Sequence, residues 1–320
     1  MERIFIQIAS YRDPECPRTV ADIFHKAKHP ERVFIGICNQ VDLDNDRDCV
    51  TELNPFPGQV REILFPAIES KGVCWARHQA EKLYRGEEYF LMIDSHMRFI
   101  EAWDELFIRE LKVCPSQKAI LSHYPAAYTP PDRVNVMDNA IVMTATPFNR
   151  MGDLRFSSRV LKAPTDKPLR GAFIAAACLF ASADLLSEVP YDPYLYFAQE
   201  EIAMSVRLFT HGWDVFSPRT NMIYHMYLQP GEAGNRRLHW EDHRDWLRLA
   251  SAGRRRLEYL LTARTDGNSE DHLVDIQRYG LGTVRTLKEF EEFVGIDFAM
   301  RQTSQKALDG TFIENIDRYI

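Results

Sequence analysis

One stretch near residue 90 constrains the fold of this chain more than any other. Five apolar residues run without interruption from Tyr89 to Ile93, and Asp94 and His96 follow closely. An apolar run of this length predicts a strand that is buried on both faces, as in a parallel sheet. Because ligands of open α/β sheets bind at the carboxyl ends of the strands, Asp94 and His96 stand where a binding site is expected.

These two side chains admit a functional and a structural interpretation. A carboxylate and an imidazole together suit a divalent ion such as Mn²⁺, with positions left for a substrate phosphate. In the structural interpretation, Asp94 caps the next helix, and His96 lies nearby with its hydrogen-bonding groups paired within the protein. The pair alone does not separate these interpretations, so the rest of the chain has to be considered.

Strands and helices alternate along the first half of the chain. Apolar runs predict strands at residues 4–9, 32–38 and 60–65, ahead of the strand at 89–93. Apolar residues at helical spacing predict a helix after each of the first, third and fourth strands, with Thr19 as the cap of the first helix. The alternation predicts an α/β fold with a mainly parallel, Rossmann-like sheet and helices on both faces.

The second half of the chain is less regular. Strands are predicted at residues 118–123, 140–146 and 171–180. The intervening residues 147–170 show little periodicity, and a loop of this length in a compact domain is typical of a lid or a binding loop. We therefore expect residues 147–170 to form a mobile lid.

The next part of the chain predicts a helix and two short strands that end at a histidine. A helix opens at Glu200 and Glu201, and two short strands then lead to His225. After residue 230 the alternation stops and the pattern becomes helical and charged. We predict an α/β domain, which carries the candidate site, over residues 1–230 and a C-terminal helical region over residues 231–320.

Composition excludes several classes of function. The formal net charge is −7, and the one basic cluster, at residues 254–256, reads as a solvated helix face, so a nucleic-acid partner is not expected. No apolar run approaches about 20 residues, so no membrane span is expected, and the N-terminus does not resemble a signal peptide. The six cysteines are scattered without metal-ligand spacing, which indicates a reduced, cytoplasmic protein.

Seven runs of residues resemble a known family, in the same order along the chain. They are 8–14 (IASYRDP), 89–99 (YFLMIDSHMRF), 191–193 (YDP), 197–201 (FAQEE), 210–214 (THGWD), 224–227 (YHMY) and 280–285 (GLGTVR). The chain resembles the nucleotide-sugar transferases of glycosyltransferase family 60, the UDP-GlcNAc polypeptide α-N-acetylglucosaminyltransferases. This resemblance implies a GT-A fold, a divalent metal such as Mn²⁺, UDP-GlcNAc as the donor substrate and retention of configuration at the sugar's anomeric carbon.

The resemblance also implies a ligand set for the metal. Asp94 and His96 are implied as ligands in an Asp-x-His motif, and His225 is implied as the third ligand. The alternative for His225 is a packed histidine between Tyr224 and Tyr227. His239 and His243 are expected on the surface and are not assigned.

Further candidates lie near strand ends and helix starts. The candidate donor-binding residues are Ser10, Tyr11, Arg12, Gln40, Arg77, Asp94 and Ser95. Tyr11 can stack on uracil and the arginines can contact the diphosphate, although surface solvation is the simpler role for an arginine. Glu200 and Glu201 are the candidate catalytic carboxylates, and stabilising the helix dipole is their alternative role.

These expectations together predict a transferase. The protein is predicted to move GlcNAc, or a related N-acetylhexosamine, from UDP to an acceptor hydroxyl on a protein or glycan, with a polypeptide Ser, Thr or hydroxyproline as one candidate. Two other classes stay open, namely a non-catalytic UDP-sugar or glycan-binding module and a metal-dependent phosphohydrolase. The phosphohydrolase would require more clustered carboxylates for a two-metal site.

Overall fold

A computed structural model of the protein describes residues 2–50, 56–227, 237–265, 271–314 and 316. The strands in these ranges are β1 (Ile4–Tyr11), β2 (Val33–Val41), β3 (Val60–Pro66), β4 (Tyr89–Asp94), β5 (Met97–Phe99), β6 (Ala119–Ser122), β7 (Ala126–Thr129), β8 (Arg133–Val134), β9 (Ile141–Ala145), β10 (Phe156–Val160), β11 (Leu169–Arg170), β12 (Leu179–Ser182), β13 (Asp214–Ser217), β14 (Ile223–His225), β15 (Ile296–Asp297) and β16 (Gln302–Thr303). The helices are α1 (Cys16–Lys26), α2 (Val73–Glu81), α3 (Trp103–Lys112), α4 (Asp184–Glu188), α5 (Glu200–Thr210), α6 (His239–Asp242), α7 (Trp246–Thr262), α8 (Leu287–Val294) and α9 (Gln305–Asp309).

An eight-stranded sheet forms the centre of the molecule, in the order β11-β13-β6-β12-β4-β1-β2-β3. Strands β4, β1, β2 and β3 run parallel to one another, as the alternation of strands and helices predicts. Strand β12 is antiparallel to both of its neighbours, β4 and β6, and β11 is antiparallel to β13. The predicted α/β class is confirmed, and the sheet is mixed beyond β4.

Strand β4 lies in the middle of this sheet because it is apolar on both faces. Phe90, Leu91, Met92 and Ile93 are each at most 1% exposed. Phe90 and Met92 belong to one hydrophobic core, and Leu91 and Ile93 belong to the core on the opposite face. Burying each side chain of this size stabilises the fold by about 1.5–3 kcal/mol, so the apolar run determines where this strand lies.

A second, smaller sheet brings a distant part of the chain to the end of β4. It has the order β5-β14-β7-β8, and β14 pairs antiparallel with β5, which places His225 opposite Met97. Strand β5 begins shortly after β4 ends. The pairing therefore carries His225 to the carboxyl end of the central strand.

The C-terminal helices pack on a core of the large sheet. Leu261 of α7 and Phe290 of α8 belong to the same hydrophobic cluster as Phe173. The predicted domain boundary at residue 230 lies outside the described residues, so the division into 1–230 and 231–320 stays a prediction. None of the helices in the described ranges is long and apolar enough to cross a membrane.

The start of the first helix differs from the expectation. Helix α1 begins at Cys16, so Thr19 lies inside the helix and does not cap it. The Thr19 hydroxyl instead donates to the carbonyl oxygen of Ser95 at 2.8 Å. The Thr19 hydroxyl therefore stabilises the turn after β4, although threonine is also a common helix-capping residue.

Residues 147–180 also differ from the expectation. Residues 147–170 are not a structureless loop, because they contain β10, which pairs antiparallel with β9, and the buried side chains of Leu154 and Leu161. The largely polar sequence of β10 hides this strand from a search for apolar periodicity. The strand predicted at 171–180 is present only in its last part, as the start of β12.

The packing of α8 gives a testable prediction. The Phe290 ring is fully buried, and its centroid lies 5.3 Å from that of Phe209 and 6.3 Å from that of Phe173. Phe290→Ala leaves a cavity where three segments meet, so we expect the free energy of unfolding to fall by about 3–5 kcal/mol. Urea unfolding measures this loss. Met300→Ala, at a side chain that is 64% exposed, is the control and is expected to change stability by less than about 0.5 kcal/mol.

Candidate metal centre

Three potential metal ligands converge at the carboxyl end of β4. Asp94 ends β4, His96 follows it closely, and His225 ends β14. The Nε2 atoms of His96 and His225 are 3.0 Å apart, and His225 Nε2 lies 3.1 Å from Asp94 Oδ2. One ligand atom from each residue lies within 4.8 Å of the others. The structure therefore brings the three predicted ligands together.

The chemistry of this cluster fits a divalent transition metal. Two ligands held about 2.1 Å from one ion at right angles are roughly 3 Å apart, which is close to the separations between these atoms. One carboxylate oxygen and two imidazole nitrogens suit Mn²⁺ better than Mg²⁺, which prefers oxygen ligands and retained water. Both histidines are buried, whereas Asp94 is partly exposed, so the cluster can be approached from the carboxylate side.

Arg77 of α2 holds Asp94 in its ionised form. Arg77 Nη2 donates to Asp94 Oδ1 at 2.7 Å, and the arginine side chain is 1% exposed. Burial alone would raise the pKa of Asp94, but the hydrogen bond to His225 and the charge of Arg77 outweigh it and hold this pKa well below its usual range. The Asp94 carboxylate is therefore ionised at neutral pH, as a metal ligand of this type requires.

Glu200 lies on the other side of the same arginine. Its Oε2 is 3.6 Å from Arg77 Nε and accepts hydrogen bonds from the hydroxyl of Tyr191 at 2.8 Å and the thiol of Cys74 at 3.3 Å. Burial raises the pKa of Glu200, although Arg77 opposes the shift. Glu200 is therefore connected to Asp94 only through Arg77 in these contacts.

Glu201 points in a different direction from Glu200. One of its carboxyl oxygens accepts from the Tyr124 hydroxyl, and the other accepts from the Ala176 amide at 2.9 Å. Burial raises the pKa of Glu201 to about 7, although both hydrogen bonds oppose the shift. The two adjacent glutamates thus occupy separate hydrogen-bond networks.

Asp13 is a site residue that was not predicted. Its Oδ2 lies 2.7 Å from His96 Nδ1 and accepts from the Ser95 hydroxyl at 2.7 Å, and its Oδ1 accepts from the amide of Glu15 at 3.0 Å. The sequence places Asp13 after β1, but only the parallel pairing of β1 with β4 shows that it lies beside His96. Residues that follow neighbouring parallel strands meet at one edge of the sheet.

A pocket of about 240 Å³ opens beside the metal centre. Its lining contains Ala9, Tyr11, Asp13, Gln40, Gly72, Val73, Asp94, Ser95, His96, Tyr196, Phe197, His225, Arg237, Leu238, His239 and Trp240. Six of the residues predicted from the sequence are among them: Tyr11, Gln40, Asp94, Ser95, His96 and His225. The other predicted residues, Ser10, Arg12, Arg77, Glu200 and Glu201, lie outside this lining.

Arg12 is held away from the pocket by two carboxylates. Its backbone is left-handed, with φ 47°, and its guanidinium contacts Asp46 at 2.7 Å and Asp242 at 3.0 Å. The Tyr11 hydroxyl donates to the same Asp242 oxygen at 2.9 Å. These bonds tie the end of β1 to helix α6.

Ser10 and Gln40 form a second link behind the pocket. Gln40 Nε2 donates to the Ser10 carbonyl oxygen at 2.8 Å, and Gln40 Oε1 accepts from the Ser70 hydroxyl at 2.5 Å. Both residues are almost fully buried, at 0% and 2% exposure. Gln40 therefore has a fixed orientation where it reaches the pocket.

Helix α6 forms one wall of the pocket, which the sequence did not indicate. His239 and His243 stack with their ring centroids 3.9 Å apart, and both are buried, so the expectation that they lie on the surface is wrong. Tyr196 and His239 share a hydrogen bond of 2.8 Å, and His243 donates to the carbonyl of Ala67 at 2.9 Å. Burial lowers the pKa of His239 to about 4, so its imidazole is neutral at neutral pH.

Comparison with known proteins relates the chain to glycosyltransferases. A family model described as glycosyltransferase (GlcNAc) matches residues 3–55 and 53–300. The crystal structure of GalNAc-T7 with UDP, GalNAc and Mn²⁺ is similar, with a TM-score of 0.61 and 12% sequence identity over 92% of this chain and 57% of that chain. This chain thus spans little more than half of that neighbour's length, and the likeness establishes a shared GT-A fold. A comparison with curated proteins found no match.

The raised pKa of Glu201 predicts a pH-dependent stability. The folded protein keeps this proton up to about pH 7, whereas the ordinary pKa of the group is 4.5. A rise in pH between these values therefore favours the unfolded state, by up to on the order of 3 kcal/mol. Glu201→Gln removes this loss, so its stability relative to wild type is expected to increase from pH 5 to pH 7.

Urea unfolding at pH 5, 6, 7 and 8 measures the effect. The exposed Glu292→Gln serves as the control and is expected to follow the wild-type profile. If Glu201→Gln and wild type show parallel profiles, Glu201 does not retain its proton in the folded protein.

Proposed function

The chain belongs to the GlcNAc glycosyltransferase family, and from this membership we propose that it is a metal-dependent, retaining glycosyltransferase. It transfers GlcNAc, or a closely related N-acetylhexosamine, from UDP to the hydroxyl of an acceptor. The observation that carries the proposal is the convergence of Asp94, His96 and His225 beside an open pocket at the end of β4. A solved neighbour of the same fold holds UDP, GalNAc and Mn²⁺, which supports a UDP-sugar donor.

The three converging residues would hold the divalent ion, which we propose is Mn²⁺. Bound there, the ion supplies Lewis-acid stabilisation of the charge that develops on the departing UDP, a contribution of several kcal/mol. Arg77 keeps the Asp94 carboxylate ionised and fixed, and Glu200 fixes Arg77 from its other side. We therefore assign Glu200 a positioning role that acts through Arg77.

The pocket beside the metal centre receives the donor in this proposal. Tyr11, Gln40 and Ser95 line it and contact the nucleotide, with the Tyr11 ring available to stack on the base. Ser10 and Arg12 support these residues without lining the pocket. Ser10 orients Gln40, and Arg12 connects the end of β1 to α6. Arg77 acts on the donor through Asp94.

Glu201 is the carboxyl group that we assign to proton exchange. Its pKa of about 7 suits a group that accepts and returns a proton near neutral pH. The proton that it would accept is the one that the acceptor hydroxyl loses when its oxygen bonds to the sugar. This role separates Glu201 from Glu200, whose partners are Arg77 and Tyr191.

The acceptor is proposed to be a protein or a glycan that presents a hydroxyl group at the pocket mouth. Phe197 and Trp240 line the pocket and remain 43% and 37% exposed, with ring centroids 5.6 Å apart. Exposed aromatic rings at a site are typical of surfaces that bind a partner. These two rings offer apolar area to the part of the acceptor that surrounds its hydroxyl.

We also propose that the protein acts in the cytoplasm. Its six cysteines are all buried and free. Free thiols are typical of a reducing compartment.

Two substitutions in the ligand set test the proposal. Asp94→Asn keeps the shape of the side chain and removes its charge, so we expect the rate of UDP release from UDP-GlcNAc with Mn²⁺ to fall by at least about 100-fold. His225→Ala removes one nitrogen ligand and is expected to weaken Mn²⁺ binding by more than about 10-fold. His29→Ala is the control, because His29 precedes β2 at the opposite end of the sheet.

The assay measures UDP release from a panel of UDP-sugars with a peptide and a glycan acceptor, while circular dichroism monitors folding. Full wild-type turnover in the presence of a chelator would contradict metal dependence. Tight UDP binding without any turnover would instead identify a binding module.

A further inference from the structure

We infer that Asp13 is a positioning residue that fixes the tautomer and the direction of His96 at the metal centre. This inference rests on the proposed function, because it concerns how the chain prepares one ligand of the proposed ion. Neither the ligand motif nor the predicted donor-binding residues include Asp13. Its role is visible only once β1 and β4 lie side by side in the sheet.

The Asp13 carboxylate is itself held rigidly. The residue is 1% exposed. Its Oδ1 accepts from the Glu15 amide at 3.0 Å, and its Oδ2 accepts from the Ser95 hydroxyl at 2.7 Å. A carboxylate held by the turn at the start of α1 and by the turn after β4 has little freedom to rotate, so it can orient a neighbouring ring.

This rigid carboxylate determines which nitrogen of His96 carries the proton. Asp13 Oδ2 is 2.7 Å from His96 Nδ1. Because an ionised carboxylate has no hydrogen to donate, Nδ1 must supply the hydrogen of this bond. The lone pair then lies on Nε2, the atom that faces His225 Nε2 at 3.0 Å. His96 is thereby prepared to bind a cation before one arrives.

The same bond strengthens His96 as a ligand. A carboxylate hydrogen-bonded to the far nitrogen of an imidazole raises the basicity of the near nitrogen, and loss of such a partner weakens metal binding by about 10- to 100-fold. Asp13 also adds a negative charge next to a ligand set whose only charged member is Asp94. The metal centre therefore depends on a carboxylate that does not itself belong to the ligand set.

The first test measures Mn²⁺ affinity directly. Asp13→Asn keeps the size of the side chain and removes its charge, and we expect the dissociation constant for Mn²⁺, measured by titration calorimetry with saturating UDP, to rise by about 10- to 100-fold. Asp104→Asn is the matched control. Asp104 is 3% exposed and accepts from the amides of Lys28 and His29 at 2.8 and 3.0 Å, so it loses the same charge outside the site. Its Mn²⁺ affinity is expected to equal that of wild type.

A second test does not depend on how the variant folds. Nitrogen-15 NMR of His96 in the metal-free wild-type protein at pH 8 is expected to show the tautomer with hydrogen on Nδ1 and none on Nε2. This is the tautomer that the bond to Asp13 selects and the one that presents a lone pair on Nε2 to an ion. Hydrogen on Nε2, or a mixture of the two tautomers, would overturn the inference even if Asp13→Asn proves unstable.

The outcomes also separate this inference from the proposed function. If the wild-type protein does not bind Mn²⁺, the proposed metal-dependent function is refuted. If wild type binds Mn²⁺ and Asp13→Asn binds it equally well, the function stands and the role of Asp13 is refuted. Weaker binding in Asp13→Asn, with unchanged binding in Asp104→Asn, supports both.

Discussion

The arrangement around the metal centre depends on one buried, positively charged arginine side chain. Arg77 is 1% exposed and lies between two carboxylates, with Asp94 at 2.7 Å and Glu200 at 3.6 Å. Removing a charge from water costs several kcal/mol, which only well-placed opposite charges can offset. Helix α2, the end of β4 and the start of α5 must therefore meet in this one geometry. This geometry fixes Asp94, and the pairing of β14 with β5 brings His225 to it.

Close packing at the start of α2 supports that geometry. Gly72 precedes this helix with φ 101°, and a Cβ at this position would lie 2.7 Å from the ring of Tyr196. Only glycine combines this backbone conformation with such a close approach. Because Tyr196 also bonds to His239, the helix that carries Arg77 and the helix that forms the pocket wall are placed by a shared set of contacts.

The sequence predicted the parts of the site that lie on strong local patterns. The apolar run at 89–93 identified the central strand, and its end identified Asp94 and His96. Asp13 and His239 were not found, because their roles arise from contacts across 83 and 43 residues that no local pattern encodes. The antiparallel direction of β12 was not predicted for a similar reason. The strands with which a strand pairs determine its direction, and the β-propensity of its residues does not.

The ties between the end of β1 and α6 have a consequence for how the protein folds. Tyr11 and Asp242 are separated by 231 positions along the chain, and Asp94 and His225 by 131. Contacts over such distances close large loops, whose entropic cost must be met before the contacts contribute. The metal centre and its pocket are thus complete only when β1, β4, β14 and α6 have all packed together. An ion or a nucleotide that binds there would act on the native state alone and would add to global stability by mass action.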